Sequence, residues 1–495
     1  MRKSLGILLG AVSFFISLSI WAFASPPGSA PDDDFHLPAI WCSHGKVDGI
    51  CDPEFEGDGY GKTLSPLSPS AICFAFKSET SAACQASQVD WNSKELRGSR
   101  TNETGRFPNG FYWTMNLLIG ENTLNSALLM RIFNSLLAIL LLIVTAIFSS
   151  KNIRFALIIS WIALITPLSA FTIPSTNPSS WAIIGLGIYW AALLSFLTST
   201  NKLQIIVTSI ITVITGLMAI NSRSESSPYL ILTTLIIIFL HAKITSLFKL
   251  NIKYLVPLII GIIAFIEFWT TPSTLGWSTG LQGGDPNRTR GELFFRNLSQ
   301  WPRFIDGSVG GWPLGWFDTP MPPMTSFFAL LVLISVFFMG LRITNFKKNL
   351  ALLILIGAIF YIPLRILYLG FNFVGEGVQP RYFLPLLIVF IGISLLSFEN
   401  DKNIFFTKTQ SFVLIGASVV AHAFALHYTM RRYITGVSSS FTGEDKTDWN
   451  LNKDVEWWWS FLPSPLTTWA IGSIAFAIAI LVGFIFVNKK SKVLN

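Results

Sequence analysis

The feature that leaves this chain fewest options is a repeated one: twelve stretches of fourteen to twenty-two mostly apolar residues. A helix needs about 20 such residues to cross the hydrocarbon of a bilayer, where each backbone polar group must be satisfied within the segment. The stretches lie near 5–23, 127–148, 155–173, 179–197, 203–220, 229–242, 254–270, 325–341, 350–368, 383–398, 410–428 and 466–487. Only 13% of the residues are charged, against about 25% in soluble domains, so disorder and most water-soluble folds are excluded. The expected fold class is an all-α polytopic membrane protein, one integral domain over 1–495 with about twelve transmembrane helices. The first stretch follows Arg2 and Lys3 and ends in Ala22-Phe23-Ala24-Ser25, a pattern that also suits a signal peptide. Either reading puts the next loop outside the cytoplasm.

Charge supports this topology independently, because cytoplasmic loops collect lysine and arginine. With twelve spans, the inner connections hold sixteen cations, from Arg2 and Lys3 through Lys151, Lys243, Lys249 and Lys402 to Lys489, Lys490 and Lys492. Only Glu399 and Asp401 oppose them. The net +8 therefore reflects topology, and no nucleic-acid partner is expected. Both termini are expected on the cytoplasmic side of the membrane.

Three outer segments are long enough to hold structure: 25–124, 271–324 and 429–465. All four cysteines, Cys42, Cys51, Cys73 and Cys84, fall in the first. An oxidising compartment permits two disulfides there, in any of three connectivities, and the spacing is too wide for a typical zinc site. In the second segment Phe294, Leu298, Trp301 and Ile305 recur at helical spacing, which predicts a short helix lying on the membrane surface. Apart from Trp161 and Trp190, all 17 tryptophans fall on the outer side, as an interfacial belt or as surfaces for sugar rings and lipid.

Chemistry is concentrated just after the first span, in Pro31-Asp32-Asp33-Asp34-Phe35-His36. Crowded carboxylates raise one another's pKa, and a divalent cation such as magnesium or manganese relieves that repulsion. Asp32, Asp33 and His36 are the candidate catalytic residues, with Asp34 as an accessory, and a solvated acidic turn is the bland alternative. Arginine recurs at outer membrane depth as Arg131, Arg365 and Arg381, and guanidinium forks match phosphate oxygens. Gln379, Tyr382 and Asp318 are further accessory candidates. His422 and His427 lie little more than one helical turn apart, and a packed pair is expected over a metal site. No phosphate-binding loop, serine-hydrolase elbow or zinc-protease motif occurs.

The acidic run resembles the Pro-Asp-Glu-x-x-His element of the bacterial membrane family known as domain of unknown function number 2142, of the GT-C glycosyltransferase superfamily. Arg131, Asn177-Pro178, Gly315-Trp316-Phe317-Asp318-Thr319-Pro320 and Gly377-Val378-Gln379-Pro380-Arg381-Tyr382 resemble its later landmarks. Asp33 stands in place of the family's Glu, Pro380 of its Gly and Ser179 of its Asp. The resemblance implies a GT-C-like helix bundle, a polyprenyl-phosphate sugar donor, and a first-loop acid acting in an inverting transfer to a cell-envelope glycan or other surface acceptor. Asp32 or Asp33 would then be the base and the three arginines would bind phosphate. Two other classes remain: a non-catalytic glycan-assembly or sensor protein, and a transporter or flippase of lipid-linked saccharides.

Overall fold

A computed structural model describes residues 2–52, 60–241, 252–272, 283–397, 404–437 and 449–488. Of the cations and acids assigned above to inner connections, Lys243, Lys249, Glu399, Asp401, Lys402, Lys489, Lys490 and Lys492 lie outside these residues. The molecule is mostly helical. Its helices are α1 (Arg2–Phe23), α2 (Asp33–Trp41), α3 (Ala83–Gln88), α4 (Gly110–Asn116), α5 (Thr123–Phe148), α6 (Lys151–Leu164), α7 (Pro167–Thr172), α8 (Ser179–Thr198), α9 (Lys202–Ile220), α10 (Ser226–His241) and α11 (Leu255–Thr270). There follow α12 (Arg290–Gln300), α13 (Pro302–Ser308), α14 (Pro323–Gly340), α15 (Phe346–Leu369), α16 (Leu384–Ser394), α17 (Lys408–Ile434) and α18 (Pro465–Asn488).

Among the described residues nine helices are long and apolar enough to cross a bilayer, and Ser226–His241 and Leu384–Ser394 are shorter apolar ones. The remaining expected span, 155–173, is not one continuous helix. It breaks into α6 and α7 at Thr166, whose hydroxyl accepts the Ser169 N–H and donates to the Ser308 carbonyl. Pro167 enforces the break, because it has no N–H to continue the ladder and suits the first position of a new helix. The core lies around α8, buried along nearly its whole length. There Gly185 lets α9 approach so closely that a Cβ would sit 2.8 Å from the Ala219 nitrogen. Along α1, Gly10 receives Val482 of α18 in the same way.

Above the bundle, the first loop folds on a small antiparallel sheet of β1 (Cys51–Asp52), β2 (Tyr60–Leu64) and β3 (Leu96–Arg100), in that order, with Thr63 opposite Arg97. Disulfide Cys42–Cys51 ties the end of α2 to β1, and Cys73–Cys84 closes the turn entering α3. Exchanging Cys42 and Cys51 for serine is expected to cost about 2–4 kcal/mol, seen as a lower Tm of the detergent-solubilised protein. The stretch expected to form one short helix through Phe294, Leu298, Trp301 and Ile305 is instead divided at Pro302 into α12, which leaves Phe294 and Phe295 exposed, and α13, which carries Ile305. Trp316 and Trp459 are pins in this structure, their indole N–H groups donating to the carbonyls of Gly28 and Phe23.

Candidate functional site

The three adjacent aspartates have three different fates, because successive residues at the start of α2 point in different directions. Asp32 is the N-cap residue, and such an aspartate ordinarily accepts a hydrogen bond from the first helical turn. Here its backbone is left-handed (φ 60°, ψ 20°) and its side chain caps nothing. The half-exposed carboxylate instead accepts from Arg381 Nη2 at 2.7 Å. A non-glycine residue in this conformation is strained, and strain of this kind clusters at functional sites. Asp34 turns away to a bidentate pair with Arg100, at 2.9 and 2.5 Å, which β3 delivers. Asp33 is wholly buried: it accepts from the Ala30 N–H and the Thr176 hydroxyl, with Arg131 3.9 Å away.

Electrostatics separates the acids further. Burial pushes the Asp33 carboxyl up to about 6, against the opposing pull of Arg131, Thr176 and the Ala30 N–H. Burial also works against charge on Asp32, but Arg381, then His36, Arg223 and Arg100, outweigh it and hold this carboxyl below its ordinary value. Asp32 is therefore ionised at neutral pH. Asp33 has the opposite linkage: its raised folded pKa costs stability as pH rises from about 4 to about 6. Subtracting the stability of Asp33→Asn from that of the parent at each pH is expected to reveal a gain of roughly 2–3 kcal/mol on acidification from pH 7.5 to 4. A flat difference would remove Asp33 as a titrating group in this range.

His36 is fully buried and hydrogen-bonds Tyr112 through Nδ1 at 2.8 Å, while its Nε2 has no partner. Burial holds its pKa well below the ordinary value, so the ring is neutral. Arg381, the partner of Asp32, lines a small recess walled by Pro31, Leu168, Phe171 and Trp312, with Thr172 and Gln379 as its other polar lining. Arg381 is buried and its Nε makes no hydrogen bond. The ring of Tyr382 carries two guanidinium groups, Arg381 at 5.2 Å and Arg223 at 4.2 Å from its centroid. An ionised acid is thus paired with a buried guanidinium that lines an apolar recess and keeps its Nε unused.

Residues 15–390 match a family whose description is predicted membrane protein, domain of unknown function 2142. The chain belongs to this family. No curated protein and no solved structure matches it. The matched region carries the acidic run, the Asn-Pro turn and the Arg381 segment, and the structure brings all three together. Asn177 donates to the Pro31 carbonyl at 2.8 Å and Thr176 bonds Asp33, so the turn holds the acids in place even with Ser179 at the position of the family's Asp.

Of the remaining candidates, Arg131 is not available to phosphate. Its terminal nitrogens donate to the carbonyls of Ala22, Ser25 and Pro26 and to the Ser29 hydroxyl, which fixes the chain between α1 and α2. Arg365 stands on an exposed face of α15 and does not line the recess. Asp318 is buried against Arg432 at 2.9 Å. Asp34 is paired with Arg100 and Asp33 is held by the Ala30 N–H and the Thr176 hydroxyl, so the triplet does not converge on a cation, and no group of three metal-ligating side chains occurs among the described residues. His422 packs flat on Phe476 and accepts from Trp21, and His427 bonds the Trp449 carbonyl, a packed pair as expected. Arg223, Arg100 and Tyr112 escaped the sequence reading. Arg223 had a signal, a charged pair with Glu225 in a short turn between two apolar stretches.

Proposed function

We propose that the protein is a GT-C-like glycosyltransferase of the bacterial plasma membrane, which moves a sugar from a polyprenyl-phosphate donor to a cell-envelope glycan or another acceptor on the extracytoplasmic face. The observation that carries this reading is the pair of Asp32 with Arg381, whose guanidinium lines the apolar recess. In the reaction, the Asp32 carboxylate takes the proton of an acceptor hydroxyl, whose oxygen bonds the anomeric carbon. The bond from that carbon to the phosphate oxygen breaks, and its electron pair leaves with the polyprenyl phosphate. Arg381 stabilises the growing phosphate charge with the donors Asp32 does not use. As phosphate draws on that guanidinium, Asp32 loses part of what holds its pKa down and becomes a better base. Asp33, His36 and Arg131 act as positioning residues. Among the competing classes, a transporter needs a polar path. The larger cleft, between α1, α5, α6 and α18, is instead lined by apolar side chains such as Ile7, Phe14, Leu142 and Val482.

The test is complementation of a deletion strain with the parent gene or with Asp32→Asn, followed by surface-glycan analysis after membrane insertion is confirmed. A glycan defect that only the parent repairs supports transfer. Repair by both would favour the assembly or sensor class.

A further inference from the structure

Arg223 has no role in the reaction as written, yet its chemistry is unsatisfied. It lies in the turn between α9 and α10 with its side chain 8% exposed. Its Nε pairs with Glu225, and its guanidinium is held between the rings of Phe107 and Tyr382, 5.3 and 4.2 Å from their centroids. Among the described residues its two terminal amino groups make no hydrogen bond, and neither is enclosed, so both are open to a ligand. Glu225 and two rings fix it, so it cannot swing out to water. Its charge reaches Asp32, His36 and Tyr112.

Two facts separate this residue from Arg381. Arg223 does not line the apolar recess, whereas Arg381 does. Both guanidinium groups contact the same Tyr382 ring, so they lie no more than about 9.4 Å apart with Asp32 within reach of both. An inverting displacement needs its leaving group and its incoming hydroxyl on opposite sides of the anomeric carbon, with the base beside the hydroxyl. The leaving phosphate belongs with Arg381 in the recess. Arg223, outside the recess and within reach of the base, is then left for the oxygens of the acceptor.

We propose that Arg223 binds an oxyanion on the sugar acceptor, so that the acceptor is an acidic glycan carrying a carboxylate or phosphate close to its reacting hydroxyl. Planar, forked donors suit either oxyanion. The rings of Phe107 and Tyr382 hold the guanidinium by cation–π contact and fix its orientation. The proposal rests on the transfer reading for its orientation, but the anion site can be measured without turnover.

The experiment uses the purified full-length protein in nanodiscs and measures binding of methyl glucuronide, its uncharged methyl ester, methyl glucoside, a sugar phosphate and inorganic phosphate. The parent is expected to prefer the glucuronide or the sugar phosphate about tenfold or more over the ester and the glucoside. Whichever of the two binds more tightly identifies the oxyanion. Arg223→Gln is expected to erase the preference, Arg223→Lys to keep only part of it, and Arg97→Gln, at an exposed pair remote from the recess, to leave it intact. Arg381→Gln is expected to weaken inorganic phosphate more than the glucuronide. Equal binding of acid and ester by the parent overturns the proposal without any variant having to fold. Loss of phosphate binding alone in Arg223→Gln also overturns it, since Arg223 would then serve the leaving group. An Arg223-dependent preference in a protein whose Asp32→Asn form repairs the deletion would sink the transfer reading and leave the anion site standing.

Discussion

An asparagine at position 32 is expected to lower sugar transfer by about 10²- to 10⁴-fold, the usual contribution of a positioned base. The half-exposed side chain caps no helix and meets the protein through Arg381, so the fold should tolerate the change. Transfer of a radiolabelled sugar from a polyprenyl-phosphate donor, followed in nanodiscs beside a Tm measurement, separates lost chemistry from lost structure. Glutamate at the same position keeps the charge but moves the carboxylate by more than 1 Å, and a displacement of that size costs about 10²-fold. Because Asp32 is held below the ordinary carboxyl range, its own titration should leave the rate flat from pH 7.5 to about 5 and cut it only in stronger acid. A rate that survives the asparagine substitution would remove Asp32 from the chemistry.

The largest expected loss of stability comes from Arg432→Ala. This fully buried guanidinium sits near the end of α17 and donates to the carbonyls of Phe74, Lys77 and Thr80 in the first loop and to both the carbonyl and the carboxylate of Asp318. One side chain therefore fastens three outer segments. Deleting it leaves the buried Asp318 carboxylate without its cation and takes a donor from four carbonyls, a loss of about 3–5 kcal/mol, seen as a large drop in Tm and as proteolysis within 73–88. Lysine cannot restore it, because one ammonium does not reproduce the planar fork. If the alanine variant keeps its Tm, the three segments are held by other contacts.

The sequence disclosed the elements whose signal is local. Apolar runs marked the long helices, and the Phe294 to Ile305 periodicity marked helical structure there but not its division at Pro302. The acidic run was visible as a cluster, and its neighbourhood with Arg381 followed from family landmarks. The assignment of roles inside the cluster was not legible. Which of Asp32, Asp33 and Asp34 meets Arg381 depends on the left-handed start of α2, and on partners from β3, the Asn-Pro turn and a segment 349 residues away. Arg131 and Arg432 look alike in sequence as cations at outer depth. Only packing reveals that both are spent on backbone carbonyls while Arg381 and Arg223 are not. The break at Pro167 was written in the sequence, yet the surrounding hydropathy hid it.

The helix that delivers Asp32 to its place also sets a timetable. Its neighbour, met where Val482 enters the notch at Gly10, is encoded more than four hundred residues downstream. At about 5–20 residues per second of synthesis, α1 waits roughly 20–90 s in the bilayer before that partner emerges. Until then the acid has its helix but not its full support, so a nascent or prematurely stopped chain should carry the residue without the competence.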